Sequence, residues 1–588
     1  MSNLYKDLES SLKKKLKFSL FREVDDLDVD AINVETPRHS KHGHFSTNAA
    51  MVLAKQLRRS TKEIAEEIAS DLLTEDHIIS VDVAGPGFIN ICFSDIYWSN
   101  HLVTILDPSF LYGSRSVGHG TKVNIEYVSA NPTGPMHVGH CRGAVVGDAL
   151  ANLLEFSGFD VTREYYINDA GGQIEVLARS VFMRYRDACC DVISELSGDF
   201  YYSGSYLLPV AEDLRRRYGN SLLKMSEKDW YSIVKEFSIN AMMGMIRSDL
   251  DALGVRHDIF FSESSLHLVS PSKTTPIAEA IKVLSEADLI YEGTLPPPKK
   301  KSSENWEDRQ QLLFRSTNMG DDIDRALIKS NGDYTYFAAD VGYFKDKFDR
   351  GFKEMILILG ADHNGYVKRM NALSKAISGG KARLSICLCQ LVKLYRDGEP
   401  VKMSKRSGNF ITLREVVDEV GSDAVRFMML YRKNDAPLDF DFSRVNEQNK
   451  DNPVFYVQYA YARCCSIFRQ ASQELGINLD TKSLQTAKVE LLKAKDELAL
   501  IRKLAEFPKV IDVSSRTHEP HRVAFYLYEL AALFHGHWSK GISEPKLRYI
   551  NTKSLDLTVA RLSLVQGIRN VIASGLRIIG VSQPQEMH

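Results

Sequence analysis

Between residues 55 and 73, apolar side chains return at three- and four-residue steps. Ile64, Ala65, Ile68, Ala69 and Leu72 therefore line one side of a predicted helix. The alternation then shifts to period two. Residues 79–83 and 88–92 predict two strands, and Gly85-Pro86-Gly87 between them predicts a tight turn, so the pair reads as a hairpin. A glycine-rich stretch over 112–120 predicts a linker. Beyond it Val123, Ile125 and Tyr127 share one face of a strand over 122–128. The loop Asn131-Pro132-Thr133-Gly134-Pro135 leads into a helix striped by Val145, Val146, Ala149, Leu150, Leu153 and Leu154 and ended by Gly158. A strand over 161–167 follows. Strand, loop, helix and strand within about 45 residues form a βαβ unit, which demands a parallel sheet.

Residues 171–290 are mostly helical and polar and predict an insertion, and Pro296-Pro297-Pro298 with Lys299-Lys300-Lys301 predicts a stiff, solvated connection. A second α/β segment has a strand over 355–359, a helix from about 366 and a strand over 384–391. From Asp423 onward the pattern is helical. The expected units are 1–115, 116–440 and 441–588.

Composition narrows the classes. With 44% hydrophobic and 26% charged residues the chain is neither disordered nor fibrous. Seventy-four basic and 76 acidic residues leave a net charge of −2, which excludes a globally cationic nucleic-acid binder but allows a local basic groove. No apolar run approaches the ~18 residues of a membrane span. The first residues contain no apolar leader core, so no secretory signal is expected. The eight cysteines include the adjacent pairs Cys189-Cys190 and Cys464-Cys465 and the Cys387-Leu388-Cys389 triplet. These spacings suit neither a disulfide scaffold nor a zinc hook, so no metal site and a reduced, cytoplasmic setting are expected.

Two motifs carry candidate chemistry. His137-Val138-Gly139-His140 lies between a strand and a helix start, where backbone N–H groups and the helix dipole favour anions. Gly139 permits close approach, and histidines three apart can reach one phosphate or ribose. Alone, most such pairs are surface histidines or half a metal site. Lys402-Met403-Ser404-Lys405-Arg406 offers three cations and a serine on a loop after a strand, suited to a polyphosphate, although a solvated basic loop reads the same. The two motifs are expected to end opposite halves of one parallel sheet, where ligands of open α/β sheets bind.

In this order and setting, the two motifs resemble the paired signatures of class I aminoacyl-tRNA synthetases. The wider context is similar to the bacterial arginyl-tRNA synthetases over essentially the whole chain. The likeness includes the segments 85–90, 125–137, 334–340, 360–363, 452–459 and 575–580. One departure is Asn364, where the bacterial pattern usually has a second histidine after His363. The resemblance implies a Rossmann-type α/β catalytic domain with a parallel sheet and helical insertion. It also implies a small N-terminal α/β module at the tRNA corner and a C-terminal all-α anticodon-binding domain. The implied activity is ATP-dependent formation of arginyl-adenylate, with magnesium accompanying ATP. Transfer to the 2′-hydroxyl of the terminal adenosine of the tRNA follows, without an editing domain. The implied setting is a cytoplasmic monomer with no membrane partner.

The resemblance also implies site residues. His137, His140, Lys402 and Lys405 would be catalytic, joined by Gly134, Gly139, Met403 and Ser404 in holding ATP. Glu126, Asn131, His140, Tyr336, Asp340 and Asp362 would hold arginine. Independently, Glu126 and Asp340 sit at or near the ends of apolar segments. A carboxylate there needs a partner, whether a substrate guanidinium or a neighbouring protein arginine. Phe88 and Asn90, two apart on a strand, could stack on and hydrogen-bond one RNA base, or Phe88 could pack in the module's core. Tyr459 and Arg463, among Phe455, Tyr456 and Tyr461, are either core or an RNA platform. Two other readings stay open: a glutamine or glutamate synthetase with different pocket groups, and a non-catalytic RNA-binding relative.

Overall fold

The helical stretch over 55–73 is two helices in the computed structural model. The structure describes residues 1–588 except 1–2, 25, 38, 110, 115–116, 191–200, 270, 272, 296–308, 402–410, 450, 477–478 and 588. The N-terminal unit runs α1 (Leu4–Lys15), β1 (Val34–Glu35), β2 (Phe45–Thr47), α2 (Ala49–Leu57), α3 (Thr61–Leu72), β3 (Ile78–Ala84), β4 (Phe88–Phe93) and α4 (Asp95–Ile105). Arg58 ends α2 in the left-handed region at φ 52°, and the Ser60 hydroxyl then caps α3 by accepting from Glu63 N. The expected hairpin is present: β3 pairs antiparallel with β4. It extends to a sheet of order β1-β2-β4-β3.

The central unit begins β5 (Lys122–Glu126), α5 (Val138–Phe156), β6 (Asp160–Ile167), α6 (Gly172–Cys190), α7 (Leu207–Tyr218), α8 (Glu227–Leu253) and β7 (Ile259–Ser262). It continues α9 (Pro276–Glu286), β8 (Ile290–Gly293), β9 (Gln311–Phe314), β10 (Arg325–Ile328), α10 (Tyr336–Asp349), β11 (Glu354–Gly360), α11 (Tyr366–Ser378) and β12 (Arg383–Cys389). The strands β12-β11-β5-β6-β7 form a parallel sheet, with the predicted βαβ unit at β5–α5–β6. The stretch read as a helical insertion over 171–290 therefore contains one strand of the main sheet, β7. Residues 296–301 lie outside the described residues. β12 stops at Cys389, short of the expected 391, because Leu391 is already exposed.

Both faces of the central strands are covered. Ile356 and Ile358 of β11 face the core shared with α5, while Met355 and Leu357 face a second core with α10 and α11. A third cluster joins α6, α7 and α8. Next come β13 (Val392–Arg396), β14 (Glu399–Pro400), α12 (Leu413–Val420), α13 (Ser422–Leu430), β15 (Leu438–Asp441) and α14 (Phe442–Val445). β15 interrupts the helical pattern expected from Asp423 by pairing in parallel with β13. The Lys402 motif thus follows β14 of a separate three-stranded sheet rather than ending half of the main one. The C-terminal unit is α15 (Pro453–Leu475), α16 (Thr481–Gln485), α17 (Lys495–Thr517), α18 (His521–Ser543) and α19 (Leu555–Ile579).

One buried arginine clamps these units. Arg426 on α13, 1% exposed, donates to Asp148 of α5 at 2.5 Å, to Ile579 O of α19 at 3.0 Å and to Leu253 O of α8 at 3.1 Å. Gly580 follows α19 at φ 68°, and a Cβ there would lie 2.1 Å from Arg426 Nη2. Gly120 has nearly the same φ, 71°, with open space around it. Gly580→Ala should therefore destabilise the protein by about 1–3 kcal/mol, well beyond Gly120→Ala. Thermal melts check this, and equal melting temperatures for the two variants would show that the clamp does not depend on the glycine.

Candidate active site

The chain leaves β5 through two consecutive non-glycine residues in the left-handed region, Val128 at φ 70° and Ser129 at φ 41°. That conformation is costly for a β-branched residue and persists only where neighbours hold it. The Ser129 hydroxyl accepts from Tyr166 N at 3.0 Å and donates to Glu126 Oε1 at 3.3 Å, pinning the turn to β6 and β5. The loop then reaches α5, where Met136 N donates to Asp249 of α8 at 3.1 Å.

At the start of α5 the two histidines cap each other's turn. His137 is the N-cap, and its Nδ1 accepts from Gly139 N at 3.0 Å. The His140 Nδ1 accepts from His137 N at 3.4 Å. The rings stack with centroids 3.9 Å apart. Since Nδ1 is an acceptor in both, each neutral ring carries its proton on Nε2. Gly139 is required by this arrangement: a Cβ would lie 2.7 Å from His137 Cε1. Gly134 lies beneath Tyr206, whose hydroxyl donates to Thr133 O at 2.8 Å.

The segment just after residues 402–410 is stitched to this helix start. Leu413 N donates to Met136 O at 2.8 Å and Val138 N to Ile411 O at 3.3 Å. Thr412, bridged to His137, caps α12 in a reciprocal box with Glu415. Two helix N-termini are thereby joined just after residues 402–410. Lys402, Met403, Ser404 and Lys405 themselves lie outside the described residues.

On the opposite face of the sheet, Glu126 and Asp340 line one cavity of about 100 Å³ with Tyr166, Tyr343, Lys347 and Tyr366. Glu126 is paired with a protein cation, though a lysine rather than an arginine: Lys347 Nζ lies 2.5 Å from its Oε2. Asp340 Oδ2 is buried with no hydrogen-bond partner. Burial pushes the Asp340 carboxyl up to about 7. Arg369 and the Tyr366 hydroxyl oppose that rise, while Glu126 and Glu263 add to it.

The remaining expected arginine residues surround the carboxyl ends of the strands. The Asn131 amide donates to Gln173 at 2.8 Å, Tyr336 begins α10 largely exposed beside Gly171, and Asp362 lies exposed just after β11. Phe88 and Asn90 part company: Phe88 is 43% exposed, so it is no core residue, whereas Asn90 is 6% exposed. On α15, Arg463 lies 4.4 Å from the Tyr459 ring centroid and 4.9 Å from that of Trp538, and it bonds His535 at 2.8 Å.

Sequence reasoning missed the cations beneath the sheet, buried Lys347 and half-buried Arg350. Lys347 serves Glu126, and Arg350 grips Glu164 through two bonds of 2.8 and 2.9 Å. Tyr343 adds a 2.7 Å bond to Glu164. The available signal was the spacing of Asp340, Tyr343, Lys347 and Arg350, which return at steps of three and four on one helical face. Among the described residues, no group of three His, Cys, Asp or Glu side chains is placed to hold a metal ion.

Comparison with known proteins gives this site its class. Residues 101–446 match the family described as tRNA synthetases class I (R), catalytic domain. Residues 3–93 match the arginyl tRNA synthetase N terminal domain, and 457–587 the DALR anticodon binding domain. The catalytic unit is that of a class I aminoacyl-tRNA synthetase. The arginine–tRNA ligases of Sinorhizobium medicae and Brucella anthropi are 58% and 56% identical to the chain over 588 residues, covering all of both partners. The fold is shared with Thermus thermophilus arginyl-tRNA synthetase, at a TM-score of 0.71 and 19% identity over 99% of this chain and all of that one. The chain belongs to the arginyl-tRNA synthetases.

The raised Asp340 carboxyl has a stability consequence. Its folded value, about 7, exceeds its ordinary 3.8. The folded state therefore holds the proton more tightly, and stability contributed by the neutral form is lost as pH rises from 4 to 7. Asp340→Asn should consequently be more stable than the parent above pH 7, by about 1–3 kcal/mol, with the difference vanishing near pH 4. Melts of both proteins from pH 4 to 8 measure it, and parallel curves would mean that Asp340 ionises as it does in solution.

Proposed function

We propose that the chain joins arginine to its tRNA in two steps at the carboxyl ends of β5, β6 and β11. In the first, an oxygen of the arginine carboxylate attacks the α-phosphorus of ATP and pyrophosphate leaves. In the second, the 2′-hydroxyl of the terminal adenosine takes the arginyl group, loses its proton and releases AMP. The observation that carries the reading is the single cavity uniting Glu126 with Asp340, whose Oδ2 is buried and unpartnered. A planar, permanently charged guanidinium satisfies such a carboxylate, whereas a shorter or neutral side chain leaves it unpaired. Arginine's side chain thus enters between β5 and α10, with Tyr336 and Asp362 at the rim. Asn131 and His140 meet its main-chain groups.

His137 and His140 contact the ATP phosphates through their Nε2–H groups, over a helix N-terminus whose donors and dipole favour anions. Gly134 and Gly139 leave room for the nucleotide. Lys402 and Lys405 stabilise the pyrophosphate side of the transition state, and Met403 and Ser404 join them in binding ATP. The bonds that tie residues 411 and 413 to 138 and 136 support this reading. Magnesium arrives with ATP as part of the substrate. Positioning and charge stabilisation then suffice, without a protein nucleophile. For tRNA, the open Phe88 ring supports stacking by the N-terminal module, with Asn90 beneath it. The Tyr459–Arg463–Trp538 stack supports base contacts by the C-terminal unit. The setting is read as a cytoplasmic monomer; among the described residues, no helix is long and apolar enough to cross a membrane.

Amino-acid-dependent ATP–pyrophosphate exchange, with and without tRNA, tests the reading. Exchange should be driven by arginine, and its absence with both arginine and tRNA present would overturn it. Lys405→Ala should slow single-turnover adenylate formation about a hundredfold while leaving arginine binding nearly unchanged, since its charge acts in the transition state. A near-parental rate would remove Lys405 from catalysis. Phe88→Ala should raise the KM for tRNA about five- to a hundredfold with an unchanged melting temperature. An unaltered KM would leave the exposed ring without a role in RNA binding.

A further inference from the structure

We propose that Lys347 sets the charge that the arginine cavity presents: it neutralises Glu126, so that Asp340 alone is left to pair with the guanidinium. This rests on the reading that the cavity receives arginine's side chain.

The geometry begins with the strand register. In the parallel pair β5–β6, Glu126 stands opposite Glu164, so two carboxylates lie side by side on the face covered by α10. From that helix, Asp340, Tyr343, Lys347 and Arg350 descend one face. Arg350 and the Tyr343 hydroxyl occupy Glu164, which Arg350 and Lys347 hold below the usual carboxylate range against the effect of burial. Lys347, 2% exposed, points its ammonium at Glu126 from 2.5 Å and sits 4.2 Å from the Tyr343 ring centroid. Each strand carboxylate thus has a cation of its own. Asp340 Oδ2 has no hydrogen-bond partner.

The charge balance follows. Glu126, Lys347 and ionised Asp340 together carry one negative charge; Glu263 and Arg369, which also act on Asp340, offset each other, so one guanidinium cancels what is left. If Glu126 became neutral while Lys347 stayed, the cavity would carry no net charge and its ammonium would repel the substrate. If both became neutral, the single negative charge of Asp340 would return. Lys347 is therefore a positioning residue that acts through Glu126 and not on the reacting atoms.

A two-variant comparison in the full-length enzyme with tRNA present decides the matter. Glu126→Gln should raise the arginine KM at least about tenfold while the ATP KM changes less than about twofold. The double variant Glu126→Gln with Lys347→Met should recover an arginine KM within about threefold of the parent. If the double variant is as poor as Glu126→Gln, Glu126 touches the guanidinium directly and the proposal is wrong. It is equally wrong if Glu126→Gln alone leaves arginine unaffected. L-citrulline, the uncharged analogue, provides a readout insensitive to charge. Its inhibition constant should stay within about twofold across the variants, and a shift parallel to the arginine KM would assign the loss to altered shape instead. Lys347→Met alone, which strands a half-buried carboxylate, is not needed for the decision. Asp340→Asn separates this inference from the reading beneath it. An unchanged arginine KM in that variant would mean that the cavity does not receive the guanidinium at all, whatever the comparison gives.

Discussion

Placing two carboxylates next to each other inside a sheet obliges the rest of the fold to supply compensating charge. Glu126 and Glu164 are register partners on the central strands, and Glu164 is completely buried. Such carboxylates call for a cation at hydrogen-bond distance, and each has one. The helix α10 meets that demand by turning Lys347 and Arg350 inward, and in doing so fixes its rotation and height against the sheet. The same rotation puts Asp340 about two turns further up, at the cavity. The position of the substrate carboxylate is thus a consequence of how the strand carboxylates are satisfied.

A second constraint couples the units. Arg426 and Arg142 are both about 1% exposed and spend their donors chiefly on backbone carbonyls from distant elements. Arg142 of α5 reaches Gln390, Lys433 and Ala436, and Arg426 reaches Leu253 and Ile579. A planar guanidinium with five donors can satisfy several orphan carbonyls at once, which makes it the natural filler where three segments end together. The helix carrying the histidine pair is thereby held on one side by the small sheet and on the other by the C-terminal helices.

The reactive end of α5 is built on reciprocal dependence. The two histidines satisfy backbone donors that would otherwise be orphaned, and Gly139 exists because one ring fills the space of its side chain. Residues 411–413 tie a second capped helix to the same point. Neither cap needs the other to fold its own turn, yet the backbone bonds between the two segments bring both helix N-termini to one region of space.

Much of this was legible in the sequence because it is local. Period-two and 3.6-residue patterns set β3, β4, β5, α5, β6, β11 and α11 within a few residues, and the His137 and Lys402 motifs with their flanks pointed to the family. Asp340 was legible as a carboxylate too near an apolar stretch to lack a partner. What local pattern could not carry was partnership across the chain. Lys347 lies 221 residues from Glu126 and Arg426 278 from Asp148. Coulomb attraction and burial act through space, so only the completed packing shows which cation meets which carboxylate. The split of the 55–73 helix had a local cap but not a local reason for the left-handed turn at Arg58. The sequence determined which chemistry was present and roughly which elements bear it. Tertiary structure decided that Glu126 is paired with Lys347 while Asp340 Oδ2 has no hydrogen-bond partner, because register and helix rotation settle which groups can touch.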